Sequence, residues 1–390
     1  MSSRGWRRLR LQLIGYKMKK TAIVILNWNT RDYLGRFVPL ILESIGSAPD
    51  GCSQGQEHEL IVADNASTDG SLELMEEHFP GVRTIVLDRN YGFTGGYNRA
   101  LEQLRGQFSY YLLLNSDIEV GKGWLEPLVS WMDSHPECAA CAPKLHSYYD
   151  RDSFEYAGAA GGLLDRFGYP LCLGRVMGRV EKDSGQYDGI APERFWVSGA
   201  CLLTRSADFH SMGGLDDRFF AHMEEIDLCW RYMLHGRTVC VVPESTVWHM
   251  GGGTLPSTSP FKLRLNFRNN LLMLDSNLAR SHASIFLQRG MEPEKAAARG
   301  RRKASALIFL RMLLDGLSAA VYLLTLKTAS FKAVIQAHRE FRELRRKDDP
   351  QLLSWLEEYG DKACLKGLYG GWCVLSSLIW RDKVFSHIRT

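Results

Sequence analysis

This chain has no GxxxxGK[ST] phosphate loop, no GxSxG nucleophile turn, no internal repeat and no low-complexity tract. Those absences exclude P-loop nucleotide hydrolysis, serine-nucleophile chemistry of that type and solenoid architecture. Zinc-type cysteine spacing is missing as well. Cys138 and Cys141 form a lone CxxC, and most of the nine cysteines, including Cys201, Cys229 and Cys240, sit in apolar runs. Such usage fits reduced, buried thiols in a reducing compartment rather than a disulfide framework. No apolar run is both long and free of charge. LQLIGY is too short for a signal-peptide core, and Arg311 and Asp315 interrupt ASALIFLRMLLDGLSAAVYLLTL (304–326) at i,i+4 spacing. A helix lying on a bilayer or packed on the body is expected there rather than a crossing.

Charge is unevenly distributed. The formal net charge of +4 combines 18 Lys+Arg against 32 Asp+Glu over 21–260 with 18 against 8 over 261–350. Those segments carry about −14 and about +10 respectively. Residues 1–20 add seven basic side chains and no acid. An acidic body repels nucleic acid, so no nucleic-acid partner is expected. The basic, partly apolar C-terminal part suits an anionic membrane surface, or a solvated helical face. Met18 directly precedes KKTAIVILNWN, so residues 1–17 read as an upstream extension.

With 390 residues and 45% hydrophobic content, the chain can bury one large core or two smaller ones. TAIVIL (21–26), HELIVAD (58–64), RTIVLD (83–88) and YYLLLN (110–115) are continuous β-rich runs, as strands covered on both faces require. Helical spacing near 31–46, 70–79 and 95–105 alternates with them. The βαβα order predicts an α/β fold with a mostly parallel sheet flanked by helices, over 21–260. Residues 146–192 read as a loop or short-hairpin excursion, 195–205 as a returning strand, 219–236 as a helix and 237–249 as a strand. From 261 to 390 the pattern is helical, basic and amphipathic.

Polar residues gather just after the strand ends, where ligands bind open α/β sheets. Asp64 opens DNASTDGS and can accept from a ribose hydroxyl or a base N–H; Ser67 and Asp69 suit turn and cap roles. NYGFTGGYN puts Gly92, Gly95 and Gly96 ahead of a helix, where exposed N–H groups attract phosphate. Asp117 follows the strand at 110–115 and suits Mg²⁺ or Mn²⁺ held chiefly through substrate phosphates, or a turn. Glu224, Glu225 and Asp227 open a helix that Gly236 can end, either capping its positive end or supplying a base. His249, beside the glycine-rich bend at 251–253, suits a metal ligand or a buried structural histidine.

In order and spacing, VILNWN, DNASTDGS, NYGFTGGYN, LLLNSD, WVSGACLLTR, GGLDDRFFAHMEEIDLCWR and VPESTVWHMGGG resemble the inverting family-2 glycosyltransferases of the GT-A fold, especially the bacterial rhamnosyltransferase-like branch. The resemblance implies that Leu26, Trp28 and Asp64 surround the base and ribose of a nucleotide-sugar. It implies that Asn90, Gly92 and Asn98 shape the diphosphate and donor-sugar pocket, with Gly199 also on the donor side. Asp117 looks like the last acid of a DxD metal motif reduced to Asn115-Ser116-Asp117, and His249 like a histidine that approaches the metal and diphosphate. Glu225 stands at the Asp position of a Glu-Asp pair that supplies the catalytic base, with Glu224 as its rival; Asp227 and Arg231 look like a structural i,i+4 pair.

The expectation is a metal-dependent transferase moving sugar from a UDP- or dTDP-sugar, dTDP-rhamnose being the branch's commonest association. Its acceptor would be a hydroxyl of a cell-surface or lipid-linked glycan at the cytoplasmic face of the inner membrane. Two other readings stand beside it. A nucleotidyltransferase needs a basic loop near the first strand, where VILNWNTRDY offers only Arg31. A non-catalytic scaffold would be expected to lose its acids.

Overall fold

The computed structural model describes residues 19–46, 57–190, 192–251, 259–346 and 348–388. The expected extension at 1–17 and most of the glycine-rich bend after His249 lie outside these residues. The chain opens with β1 (Lys19–Asn27), α1 (Arg31–Ser44), β2 (His58–Asp64), α2 (Ser71–His78), β3 (Arg83–Val86), α3 (Gly92–Gln103) and β4 (Phe108–Leu114). These four strands run parallel to one another. β5 (Ile118–Val120), α4 (Leu125–Ser134) and β6 (Cys138–Ser147) follow. β11 (Cys201–Arg205), α5 (Ser206–Ser211), α6 (Glu224–Leu234) and β12 (Thr238–His249) close the main layer. The eight-stranded order is β3-β2-β1-β4-β11-β6-β12-β5, and only β11 and β5 run antiparallel to their neighbours. The mostly parallel sheet expected from the apolar runs is therefore present.

Alternation along β1 explains why its run is apolar throughout. Ala22 and Val24 enter the core on one face of the sheet, and Ile23 and Ile25 enter the core on the other. All four are buried, and fully burying each larger side chain stabilises by about 1.5–3 kcal/mol. α1 covers one face with Leu34, Phe37, Val38, Ile41 and Leu42, at the spacing an amphipathic helix uses.

Three expected boundaries shift, each for a local reason. Of 195–205 only Cys201–Arg205 is strand. Upstream, Arg194 N–H donates to Val239, Phe195 N–H to Gly162, and Trp196 accepts from Gly162 N–H. These bonds to two different partners bend the segment away from the ladder. The glycines of NYGFTGGYN lie within α3 rather than before it. A Cβ on Gly96 would meet Leu26 Cδ1 at 2.8 Å, so the bare backbone lets α3 lie on β1. The helix expected over 219–236 starts only at Glu224, because Phe220, His222 and Met223 all have positive φ.

The excursion builds a second small sheet from β7 (Gly162–Asp165), β8 (Pro170–Cys172), β9 (Arg175–Val176) and β10 (Arg179–Val180). Its other edge is β13 (Leu368–Tyr369), which returns from the C-terminal part to pair in parallel with β7. That C-terminal part comprises α7 (Pro260–Leu287), α8 (Pro293–Leu324), α9 (Thr328–Leu344), α10 (Leu352–Tyr359) and α11 (Cys373–Trp380). α7 is unusually polar where it is buried. Arg268, Asn269, Asn270, Asn277 and Ser281 face the body, and all five make side-chain hydrogen bonds. Trp230 Nε1 donates to Ser281 Oγ, and Asn277 Nδ2 donates to Asp227 Oδ1.

Candidate active site

The ends of β1, β2 and β4 share one rim, since Asn27 is in register with Asp64 and Ile25 with Leu114. Asp64 is fully buried there. It accepts from Asn27 Nδ2 at 2.8 Å and from Ser67 N–H at 2.9 Å. Thr30 Oγ1 lies 2.5 Å from Asn27 Oδ1 and 2.9 Å from Ser116 Oγ. A hydrogen-bond chain thus runs from Asp64 through Asn27 and Thr30 to Ser116, tying the DNASTDGS turn to the NSD turn. Ser67 and Asp69 serve as turn residues: Ser67 Oγ accepts from Asn29 N–H, and Asp69 accepts from Arg31 and Ser71 N–H. Trp28 stands exposed beside this chain, and Leu26 leans on α3.

Asn65 links this rim to α3. Its Nδ2 donates to Asn90 Oδ1 and to the Gly92 carbonyl, and its Oδ1 accepts from Tyr91 N–H. The N–H groups expected to greet phosphate already have protein partners. Gly92 N–H donates to Asn90 Oδ1, and Phe93 and Thr94 N–H donate to the Phe220 carbonyl. Gly92 has φ +71°, and a Cβ on it would lie 2.5 Å from the Phe220 ring, so this contact requires glycine. Asn98 stands apart from the other site residues. It clamps the 213–217 loop by donating to the Leu215 carbonyl and Asp217 and accepting from Leu215 N–H.

Phe220 belongs to the strained turn that delivers the acids. Asn269 of α7 donates to the carbonyls of Phe219, Ala221 and His222, and Arg268 donates to Phe219 as well. The C-terminal region therefore holds the turn from which α6 starts. Glu224 and Glu225 follow, and the Oε2 atom of each is buried without a hydrogen-bond partner. Burial, then repulsion from Glu225, raises the Glu224 carboxyl well above its ordinary range. Burial raises Glu225 to about 7, against the pull of N–H groups at the helix start. Gly199 faces this acid: a Cβ there would lie 3.4 Å from Glu225 Cβ and 3.6 Å from the Phe93 ring. Ala200 beside it accepts from Asn115 N–H, which joins the acids to the β4 rim. Asp227 points elsewhere and pairs with Arg231 and Asn277.

Asp117 and His249 meet because β12 ends in register with β5, His249 opposite Ile118. His249 Nε2 lies 3.1 Å from Asp117 Oδ1, and its Nδ1 lies 3.4 Å from Glu155 Oε2. Burial disfavours charge on this imidazole, but the two carboxylates prevail and lift it to about 10. Burial likewise opposes ionisation of Asp117, yet His249 holds its carboxyl below the ordinary range. Glu155 comes from the excursion, and Cys172 of the small sheet feels the charge of both Glu155 and Glu225. Lys262 of α7, half-buried, lies near enough to feel Glu155 and to depress His222. Among the described residues it has no ion pair or hydrogen bond.

Carboxylate and imidazole groups are ligand types that Mg²⁺ or Mn²⁺ accept, and Asp117 and Glu155 flank the buried His249 ring. Among the described residues no three His, Cys, Asp or Glu side chains are arranged to enclose an ion alone. Asp117 and His249 fit a metal that takes its remaining oxygens from phosphates. The CxxC is not such a centre, since Cys138 and Cys141 are free thiols within β6 that donate to carbonyls.

Sequence reasoning placed Asn27 among the polar residues at the strand ends and Asn65 in a turn or cap role, but did not foresee their links to Asp64 and α3. It did not single out Thr30, Glu155, Lys262 or Asn269. Asn269 could have been suspected from the polar RLNFRNN stretch opening an otherwise apolar helix. Glu155 carries no local signal.

Comparison with known proteins shows what the chain is similar to. The sequence profile of glycosyl transferase family 2 matches residues 22–179. The chain is 29% identical over 205 residues to the N-acetylglucosaminyl-diphospho-decaprenol L-rhamnosyltransferase of Mycobacterium tuberculosis, covering 49% of this chain and 66% of that relative. The match thus spans just under two thirds of the relative's length. It is 26% identical over 235 residues to the rhamnosyltransferase WbbL of Escherichia coli, covering 57% of this chain and 80% of the relative. Among solved structures, GalNAc-T7 with UDP, GalNAc and Mn²⁺ superposes with a TM-score of 0.50 at 14% identity, over 74% of this chain and 55% of that one. This likeness establishes the shared fold.

Proposed function

From the match of residues 22–179 to glycosyl transferase family 2 and the likeness to rhamnosyltransferases, we propose that the protein transfers a sugar from a nucleoside-diphosphate donor to a hydroxyl of a lipid-linked or growing cell-surface glycan, inverting the anomeric centre. The observation that carries the reading is Glu225. It is a buried carboxylate raised to about 7 with an unpartnered oxygen, at a helix start that Gly199 leaves open. A base titrating near neutral pH is suited to general-base catalysis.

Glu225 takes the proton of the acceptor hydroxyl as that oxygen bonds to the anomeric carbon, and the bond to the donor diphosphate breaks on the opposite face. Glu224 lies buried beside this base, and burial and repulsion from Glu225 raise its carboxyl well above the ordinary range, which disfavours a second negative charge next to the base. Asp117 and His249 would hold Mg²⁺ or Mn²⁺, which when bound takes up charge on the departing diphosphate. Lys262 supplies a further positive charge on the same side, and Trp28 offers an exposed ring on the Asp64 side for a base or sugar. The relatives' names favour a rhamnosyl donor and, in one case, a diphospho-decaprenol-linked acceptor; in this reading the donor is dTDP- or UDP-linked and the acceptor lies at the cytoplasmic face of the membrane.

The test is donor hydrolysis and transfer by the purified chain across UDP- and dTDP-sugars, with and without Mn²⁺. Release of sugar and nucleoside diphosphate supports the proposal. Pyrophosphate release would shift the reading to a nucleotidyltransferase. Silence with every donor, together with no thermal stabilisation by any of them, would leave a non-catalytic scaffold.

A further inference from the structure

α8 has two faces of opposite character. Its inner face, including Ile308, Arg311, Asp315 and Ala319, is buried against the body. Phe309, Leu313, Leu317, Val321 and Leu324 recur along the other face and are 51–82% exposed. This stripe runs for about 22 Å at the rise of an α-helix. Among the described residues it has no covering element. Unpartnered apolar surface of this extent is uncommon on a soluble monomer.

Charge says what covers it. Between Lys295 and Arg339 the only acidic residue is Asp315, which is fully buried, whereas Arg302 and Lys303 precede the stripe and Lys327 and Lys332 follow it, all exposed. On the helical wheel Arg302 falls in line with the leucines. α11 begins near Arg311, whose charge Cys373 feels, and exposes Leu378, Ile379 and Trp380. An apolar stripe with cationic ends and no exposed acid complements anionic headgroups over acyl chains.

By length and hydropathy α8 would also pass as a membrane span, but its inner face argues against crossing. Arg311 donates to Asp315 at 3.0 Å and to Asn270 of α7 at 2.6 Å, and lies over the Tyr169 ring at 3.5 Å. His338 of α9 approaches the other Asp315 oxygen at 3.3 Å. A transverse helix would have to give up these partners and take an ion pair into hydrocarbon.

We propose that the outer face of α8 docks the protein in the plane of an anionic lipid bilayer. This deepens the transferase reading by giving a route to a lipid-linked acceptor, although the surface itself is argued without it.

The test is sedimentation of the full chain with phosphatidylcholine vesicles, with or without about one third phosphatidylglycerol. Binding is expected to the anionic vesicles, to weaken in high salt, and to fall at least about tenfold in a Leu313→Glu/Leu317→Glu variant. Because both leucines are exposed, the variant should keep its melting temperature and donor hydrolysis. Undiminished vesicle binding by the variant would overturn the proposal, as would failure of the parent to sediment with vesicles. So would a parent dimer that the variant dissolves without losing lipid, or resistance of the parent to alkaline carbonate extraction, which marks a span. Vesicle binding without donor hydrolysis would sink the transferase reading and leave the docking surface standing.

Discussion

Around Asp64, Asn27, Thr30 and Ser116 each of the four side chains has a hydrogen-bond partner within the protein. Around Glu224 and Glu225, at the opposite side of the same rim, two carboxylate oxygens are buried without one. The turn leading to them holds three non-glycine residues at positive φ. An unsatisfied buried polar atom costs about 1–3 kcal/mol, and each strained residue adds of order 1 kcal/mol or more. The Asp64 side is built as folding alone would build it. The Glu225 side keeps costs that folding does not explain, and the acceptor hydroxyl of the proposed reaction would supply one of its missing partners.

The comparison breaks first at Glu225. Glu225→Gln should lower turnover about 100-fold or more, equivalent to about 2.7 kcal/mol, while donor affinity stays near normal. Steady-state kinetics with a calorimetric donor titration check this, and near-normal turnover would pass the role to Glu224 or Asp227. On the satisfied side the effect belongs to stability. Asp64→Ala leaves Asn27 Nδ2 and Ser67 N–H without their acceptor and should destabilise by about 2–3 kcal/mol in urea unfolding. A loss below about 0.5 kcal/mol would mean the network is decoration.

Asp117→Ala should weaken Mn²⁺-dependent UDP binding about tenfold, or about 1.4 kcal/mol; an unchanged titration removes the metal role. The smallest effect has the opposite sign. The Glu224 carboxyl is raised in the fold above its ordinary value near 4.5, so the folded state binds the extra proton and stability falls as pH rises past that value. Glu224→Gln removes this cost and should raise stability by about 1 kcal/mol at pH ~8, with little gain near pH ~4.5. Thermal melts at the two values decide it, and destabilisation at the higher pH would contradict the burial argument.

Much of the sheet could be read from its apolar runs, since β1, β2, β3 and β4 each overlap a run identified by composition. The meeting of Asp117 with His249 followed from the resemblance, but Glu155 as their third neighbour did not. It lies in a segment of weak periodicity whose strands form largely against one another and against β13, about 200 residues later. The glycines of α3 gave a misleading signal. They suggested phosphate, whereas the fold uses the helix start to bind the Phe220 carbonyl. The clamp that Asn98 makes on the 215–217 loop was hidden for a similar reason, because those partners are remote in sequence.

Local composition and period determined the first four strands and their helices, the mostly parallel character of the sheet and the residue types at the strand ends. Those properties depend on neighbours a few positions away, which the chain carries with it. Tertiary structure alone decided which amides remain free, which acids lack partners, and that α7 holds the turn before Glu225 while α8 turns its leucines outward. Hydrogen bonding and desolvation depend on what the rest of the fold brings within about 3 Å, and no stretch of sequence contains that information.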